Sequence, residues 1–263
     1  MRTATRYLGW RLSGLLLVIG CGGSVQPPEP VAPAEPASPA SEPPAAPAEQ
    51  STPRESPDVP PPGSPAHRVM QAHFQDALLI RQAVIAGTPE RAGAPAQVLT
   101  ETYALDGLPK GWKPFVERMQ EAARRITDSA SSAQAAAATA DLGLSCGACH
   151  SERGGPKPSS EPLPADAGSI RDRMKRHVWA TERLWEGIYV PSADAWDAGA
   201  RALSTEPFPG EILKSGGVHA RSAAGDFKKL AATAPAKTSP RERAALYAEM
   251  LVTCGACHQA TRN

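Results

Sequence analysis

The sequence has no marked excess of either charge, because 28 basic and 27 acidic side chains leave a formal net charge of +1. This balance gives no electrostatic footprint for nucleic-acid binding. The chain also lacks a catalytic triad, a phosphate-binding loop and paired carboxylates in a defined setting. Aromatic residues are scarce, at 5% of the chain. The sequence therefore gives no sign of the common hydrolytic or phosphate-binding sites.

The N-terminus predicts an export signal. Three arginines precede an apolar run, Leu15–Ile19, that is far too short to cross a bilayer. Residues 18–21 resemble a bacterial lipobox, so we expect a signal peptide at 1–20 and a lipid-modified Cys21. The alternative is an ordinary secreted protein with a chance cysteine. No twin-arginine pair is present, which favours the general export route to the periplasmic side of a bacterial membrane, inner or outer.

Residues 21–65 predict a disordered tether. The segment consists mainly of Pro, Ala, Glu and Ser and has no aromatic residue, so it cannot bury enough apolar surface to offset its ordering entropy. At about 3.1 Å per residue in a polyproline-like state, it reaches on the order of 100 Å. We expect it to hold a soluble head away from the membrane, although disposable low-complexity sequence would be equally disordered.

Four of the five cysteines lie in a motif that occurs twice, CGACH at 146–150 and at 254–258. C-x-x-C-H is the attachment signature of a c-type haem. Two thiols three residues apart lie on one side of a helical turn and form thioethers with the haem vinyl groups, and the adjacent histidine binds the iron as the proximal ligand. The predicted residues are Cys146, Cys149, His150, Cys254, Cys257 and His258. Export agrees with this, since a free CxxC pair in an oxidising compartment tends to form a disulfide.

The motif closes each copy of an internal repeat. A Met-x-x-His pattern at 70–73 recurs at 174–177, and without a gap Leu99 then aligns with Leu203. The two CGACH motifs fall out of step by a short insertion in the second copy. We expect a first repeat at 66–150, a linker at 151–168 and a second repeat at 169–263.

The pattern of each repeat predicts an all-α fold of four short antiparallel helices, with no convincing strand of alternating polarity. Helix-start signals occur at Ser64-Pro65, Thr88-Pro89, near Trp112, near Ser131 and at the capping box 239–242. The last helix of each repeat is predicted to run into its CGACH motif. With so few aromatic residues the core is under-supplied, and a buried porphyrin would provide the missing apolar volume.

This order of parts resembles the class II c-type cytochromes, the cytochrome c prime and cytochrome c-556 group. The resemblance covers both repeats, about 180 residues, and rests mainly on the position of CxxCH at the end of the last helix, with His258 five residues from the end. It implies a four-helix bundle with one covalent haem per repeat. In contrast to that family, each repeat is shorter than the usual domain and two stand in tandem. The basic and aromatic residues that often follow the family's motif are not clearly present.

The first helix of each repeat is expected to supply the distal axial ligand. Met70 and His73 are three residues apart on one helix face, as are Met174 and His177, and either side chain can bind haem iron. The family resemblance favours methionine, because its six-coordinate members use a first-helix Met. Parsimony favours His73 and His177, since Met is a common core filler whereas a core histidine that binds no iron needs another polar partner. Five-coordinate iron is the third alternative.

The remaining basic side chains are expected to face solvent. His67 is predicted to be a solvated residue at the start of the first helix, and His219 a surface or haem-edge residue. Lys228-Lys229 and Arg124-Arg125 are most simply solvated helix faces. Their alternative role is contact with haem propionates or an acidic partner.

These features predict a membrane-tethered dihaem cytochrome c that transfers single electrons in a bacterial cell envelope and is not an enzyme. Its cofactors would be two covalently attached haem c groups. Its partners would be other redox proteins of the envelope and, through the N-terminal lipid, the membrane, with no nucleic acid and with dimerisation left open.

Three alternatives belong to other classes. A gas-binding or sensor haem protein needs an open distal site, against which the Met and His residues argue. A peroxidase-like enzyme needs an open haem with acid–base residues around it, and a larger chain. A zinc site needs separated ligand pairs rather than a fused Cys-Cys-His unit.

Overall fold

The computed structural model describes residues 60–101, 109, 111–205 and 208–262. Helix accounts for 79% of these residues and no strand occurs among them, which confirms the all-α prediction. The predicted signal peptide, the predicted lipidation site Cys21 and nearly all of the predicted tether lie outside the described residues.

In its described residues the first repeat contains the helices α1 (Pro65–Ile85), α2 (Gly93–Glu101), α3 (Lys113–Thr127) and α4 (Ser132–Arg153). The Ser64 hydroxyl caps α1 by accepting a hydrogen bond from the backbone N–H of His67 at 3.2 Å. A short 3₁₀ turn, Pro89–Ala92, precedes α2. Helix α4 begins after its N-cap Ser131 and continues through the whole CGACH motif.

The second repeat contains the helices α5 (Ile170–Tyr189), α6 (Ala193–Thr205), α7 (Gly210–Ser215), α8 (Gly217–Thr233) and α9 (Pro240–Thr261). The predicted capping box opens α9. The Ser239 hydroxyl accepts from the backbone N–H of Glu242 at 3.2 Å, and the Glu242 carboxylate accepts from the backbone N–H of Ser239 at 3.0 Å. This helix also runs through its CGACH motif.

The helix ends reproduce the internal repeat. Helices α1 and α5 end at Ile85 and Tyr189, 104 residues apart, and the buried Leu99 of α2 and Leu203 of α6 have the same spacing. The N-caps of α4 and α9, Ser131 and Ser239, are 108 residues apart. The four extra residues of the second copy therefore lie between its second and last helices, in agreement with the short insertion that the sequence predicts.

The two repeats share a core. The larger cluster of buried apolar side chains draws on α1 and α4 of the first repeat and on α5, α6, α8 and α9 of the second. A smaller cluster, which includes Ile80, Leu99 and Leu142, belongs to the first repeat alone. Helix α4 packs against both α9 and α5. Because helices of both repeats enter one core, the prediction of two tandem four-helix bundles is not confirmed.

The predicted linker lies along α5, held by side chains on one face of that helix. The Trp179 indole N–H donates to the carbonyl oxygen of Glu161 at 3.0 Å. The Arg183 guanidinium donates to the carbonyl of Ser159 at 2.7 Å, and the Glu186 carboxylate accepts from the Ser159 N–H at 2.7 Å. Arg183 and Glu186 also form an ion pair at 2.6 Å. The spacing of three and four residues places these three side chains on one helical stripe.

None of the helices in the described residues combines the length and the apolar content that a membrane crossing requires.

Candidate functional site

A cavity of about 360 Å³ lies between α1 and α4. All five residues that the sequence assigns to the first haem line it: Cys146, Cys149 and His150 from α4, and Met70 and His73 from α1. The rest of its wall is largely apolar and includes Phe74, Leu99, Trp112, Met119 and Leu142. The volume falls within the range of about 300–1,000 Å³ that is typical of cofactor and ligand pockets.

The second repeat repeats this arrangement around a smaller cavity of about 110 Å³. Cys254, Cys257 and His258 line it from α9, and Met174 and His177 line it from α5. The His177 ring lies near two aromatic rings, with centroid distances of 5.3 Å to Phe208 and 5.8 Å to Phe227. The folded chain thus brings each predicted proximal motif to the predicted distal pair of its own repeat.

The helical conformation of the motif presents its three chemical groups together. Cys146, Cys149 and His150 stand at positions i, i+3 and i+4 of α4, and such positions share one face of a helix. The corresponding residues of α9 have the same spacing. A planar group bound to both thiols would therefore lie against the helix with the histidine beside it.

The proximal histidine of the first site is oriented by the second repeat. His150 Nδ1 lies 2.6 Å from the carbonyl oxygen of Tyr189, at the C-terminal end of α5. A carbonyl oxygen only accepts, so Nδ1 carries the proton and Nε2 keeps a lone pair for a metal. A backbone carbonyl is a usual orienting partner for an imidazole that binds a metal. Burial lowers the pKa of His150, while the bond to Tyr189 acts in the opposite direction.

The glycine of each CGACH motif packs against the end of the other repeat's first helix. A Cβ added to Gly147 would collide with the backbone oxygen of Ile188 in α5. A Cβ added to Gly255 would lie 3.1 Å from the backbone oxygen of Val84 in α1. Val84 and Ile188 are equivalent positions of the repeat, 104 residues apart. The motif therefore uses glycine where two helices approach closely, and the two repeats exchange this contact.

The α1 end of this exchanged contact includes a turn at Gly87. Its φ of 68° lies in the left-handed region that favours glycine. The Gln259 side-chain amide, next to His258, donates to the carbonyl of Gly87 at 2.6 Å. At the second motif a glutamine thus binds the end of α1, whereas at the first motif the histidine itself binds the end of α5.

The cysteine environments differ from those of redox-active thiols. Burial raises the pKa of Cys146 and of Cys254 to about 12, and it raises the pKa of Cys149 and Cys257 as well. Catalytic CxxC pairs depend on a lowered thiol pKa and an electropositive setting. The four thiols therefore lack the lowered pKa that a catalytic CxxC pair requires.

The predicted distal histidines are neutral near pH 7. Burial lowers the pKa of His73, which is only 5% exposed, to about 4. Burial also lowers the pKa of His177 to about 4, with a further decrease from the nearby His258. The neutral imidazole is the form that binds a metal. Met70 and Met174 line the same cavities and are only partly buried, so both types of candidate remain in place.

A buried polar cluster between the repeats was not predicted from the sequence. Arg81 of α1 is 2% exposed and donates to the Tyr247 hydroxyl at 2.6 Å, the Glu182 carboxylate at 2.6 Å and the Thr181 carbonyl at 3.0 Å. Burial lowers the pKa of Arg81, but Tyr247 and Glu182 together raise it above its ordinary value. The Tyr247 ring stacks on Trp185 at 5.7 Å. A lone arginine on an amphipathic helix gives no sequence signal for partners 100 and 166 residues away.

Most of the basic residues outside the two cavities are exposed to solvent, as the sequence predicts. His219 is exposed. Arg124, Arg125 and Lys229 form ion pairs on the surface with Glu121, Asp141 and Asp226. His67 differs from expectation, because it is half-buried and lines the first cavity. Its Nδ1 accepts a hydrogen bond from the backbone N–H of Gly63 at 3.3 Å.

Within the described ranges, no three His, Cys, Asp or Glu side chains are placed so that they share a metal ion by themselves. In comparisons by sequence and by structure, no family model, no curated protein and no solved structure matches the chain.

Proposed function

We propose that this chain is a dihaem c-type cytochrome that transfers single electrons. One observation carries the proposal: in each repeat, two thiols and a histidine of the last helix share a cavity with a methionine and a histidine of the first helix. The two sets lie far apart along the chain, yet the fold brings them together twice. When bound, a c-type haem supplies a one-electron couple between ferric and ferrous iron.

The residues of the first cavity fit such a group. Cys146 and Cys149 would provide the two attachment points. The Tyr189 carbonyl orients His150 through Nδ1, and this leaves Nε2 free to bind iron. The largely apolar wall limits the access of water, and a porphyrin in the cavity would provide the apolar volume that the aromatic-poor core lacks. Cys254 and Cys257 would provide the attachment points for the second group and His258 its proximal ligand, at a smaller cavity of about 110 Å³.

Two side chains of each first helix are available for the distal position. We propose His73 and His177, with Met70 and Met174 as the alternative ligands. The support for histidine is that His73 is the more deeply buried of its pair and is neutral. An occupied sixth position leaves no place for a gas or a peroxide, and this favours electron transfer over a gas-binding or peroxidase-like role.

The type of helical bundle, the membrane anchor and the partners are proposed from the family resemblance and the N-terminal sequence. We propose a class II-like bundle around each haem, with the two bundles sharing α4–α9 contacts. We further propose lipid anchoring through Cys21 on the periplasmic side of a bacterial membrane and electron exchange with other redox proteins of the envelope. The all-helical fold and the position of each motif at the end of a last helix support the first of these.

Matched cysteine variants test the proposal. The chain is produced with a haem-attachment system, and haem is detected by its peroxidase stain on a denaturing gel and by the haem absorbance of the purified protein. The double variant Cys146→Ala/Cys149→Ala is expected to keep half of the haem, and Cys254→Ala/Cys257→Ala is expected to keep the other half. Loss of all haem in one double variant and of none in the other would contradict two equivalent attachment sites.

A further inference from the structure

The two proximal histidines have different surroundings. The Nδ1–H of His150 donates to the Tyr189 carbonyl at 2.6 Å, a short bond that crosses from the first repeat to the second. At the second motif, the corresponding contact with the end of α1 is made by the Gln259 amide, which donates to the Gly87 carbonyl at 2.6 Å. The internal repeat is thus broken at the residue that sets the donor strength of the proximal ligand.

A hydrogen bond from Nδ1–H increases the basicity of the imidazole. The ring then donates more electron density through Nε2, which favours the higher charge of ferric iron. Axial-ligand strength and hydrogen bonding around it are the protein's levers on a haem potential. The Tyr189 carbonyl therefore acts to lower the reduction potential at the first site.

A buried cation lies beside the second site. Arg81 donates to the hydroxyl of Tyr247, which stands two turns before Cys254 on α9. One turn after Arg81 on α1, the Val84 oxygen lies where a Cβ added to Gly255 of the motif would meet it at 3.1 Å. Burial raises the pKa of the Cys254 thiol and the Arg81 charge opposes this rise, and the same charge also acts on Tyr189 at the first site.

The carboxylate that pairs with Arg81, that of Glu182, lies toward solvent. The Glu182 side chain is 44% exposed, whereas that of Arg81 is 2% exposed. Water screens the carboxylate more than the guanidinium, so the interior around Cys254 retains a net positive field. A positive field favours the lower charge of ferrous iron and raises the reduction potential at the second site.

We propose that the two haem sites have unequal reduction potentials, with the lower one at the first site, set by Tyr189 acting on His150 and by Arg81 acting near Cys254. This inference rests on the proposed function. Tyr189 and Arg81 are positioning and electrostatic residues rather than iron ligands. The arrangement ranks the two sites, so that an electron shared between them resides mainly on the second.

A potentiometric titration of the full-length holoprotein tests the ranking. The unmodified protein is expected to titrate in two one-electron steps. Gly147→Ala forces the end of α5 away from α4 and weakens the bond to His150, so the lower step is expected to move upward while the upper step stays. Gly225→Ala is the matched control, because a Cβ at Gly225 meets open space. It is expected to move neither step.

Substitutions of Arg81 and Glu182 test the proposed effect of Arg81 on the reduction potential of the second site. Arg81→Gln is expected to move the upper step downward by about tenfold in the ferric-to-ferrous equilibrium, which is about 59 mV for one electron. Glu182→Gln, at a half-exposed position, is expected to move the same step upward. Because Arg81 and Glu182 also act on Tyr189 at the first site, the lower step is expected to move in the same direction but by less than the upper step. Coincident steps in the unmodified protein, or an Arg81→Gln shift confined to the lower step, would overturn the inference.

A measurement on the unmodified protein tests the role of Tyr189 even if the variants do not fold. Proton NMR of the ferrous form is expected to show slower solvent exchange for the Nδ1–H of His150 than for that of His258. Equal exchange would contradict the special role of Tyr189. Haem content is measured first on the same sample. Absence of haem overturns the proposed function, whereas two haems with coincident steps overturn only this inference.

Discussion

Gly147 of the first CGACH motif lies so close to the backbone oxygen of Ile188 that the structure leaves no room for a side chain there. This contact joins helix α4 to the end of α5 and holds the Tyr189 carbonyl, one residue further on, at His150. The same glycine of the second motif meets α1 in the equivalent way. Each motif therefore also forms a packing contact between the two repeats.

The contact at Gly147 predicts a loss of stability. Gly147→Ala is expected to lower the free energy of unfolding by about 1–3 kcal/mol, because an overpacked interior forces the backbone to shift. Gly225→Ala, in an exposed position of α8 with open space around it, is expected to raise it by roughly 0.5–1 kcal/mol. Urea unfolding followed by circular dichroism measures both. Equal effects of the two variants would show that the close approach has no energetic role.

The buried Arg81 cluster predicts a graded response. Tyr247→Phe removes a hydrogen bond to a charged donor and is expected to cost about 1.5–3 kcal/mol. Glu182→Gln is expected to cost less than about 1 kcal/mol, since the carboxylate is half-exposed and its ion pair is screened. Thermal unfolding of the two variants under the same conditions tests the order. A larger loss for Glu182→Gln would mean that the ion pair, rather than the Tyr247 bond, holds Arg81.

The distal ligands are separated by two substitutions in one repeat. If His73 binds the iron, His73→Ala opens the first site to carbon monoxide in the ferrous state while Met70→Ala leaves it closed. Bis-histidine sites also lack the sulfur-to-iron band near the red end of the ferric spectrum and have lower potentials than His/Met sites. The reverse pattern of carbon monoxide binding would assign the ligand to Met70 and, by the repeat, to Met174.

Carbon monoxide binding by the unmodified protein bears on both assignments. The ferrous protein is expected to bind none at either site. Binding at both haems would exclude His73, His177, Met70 and Met174 as ligands and would favour the gas-binding alternative.

The N-terminal sequence predicts a lipid anchor at Cys21. Cys21 follows a short apolar run and matches the lipid-modified position of a lipobox. The exported protein is expected to partition into detergent, and Cys21→Ser is expected to release it into the soluble fraction or to block its processing. Fractionation of cells that produce each form provides the measurement. A wild-type protein that is freely soluble after export would show that Cys21 is not lipidated.

Local signals allowed much of the fold to be predicted. Ser64, Ser131 and Ser239 each begin a helix because a side-chain oxygen caps a free backbone N–H, and such caps are visible in a sequence. The Met-x-x-His repeat and the paired CGACH motifs are equally local. They were sufficient to name ten residues that the structure gathers in two cavities.

The remaining features depend on contacts that have no local pattern. The orienting partner of His150 is a backbone carbonyl, and every residue has one, so no residue type marks Tyr189 for that role. Arg81 resembles a surface residue of an amphipathic helix until the other repeat covers it. The shared core arises because α4 packs on both α5 and α9, and sequence periodicity shows which face is apolar but not which helix will cover it.

The presence of two covalent haems is measured most directly by the intact mass of the purified full-length protein, together with its oxidised and reduced absorption spectra. A dihaem c-type cytochrome is expected to have a mass above that of the processed polypeptide by two haem groups, retained under denaturing conditions, and the reduced spectrum of c-type haem. A chain that carries zinc, or that shows the polypeptide mass alone after production with a functioning haem-attachment system, would contradict this prediction.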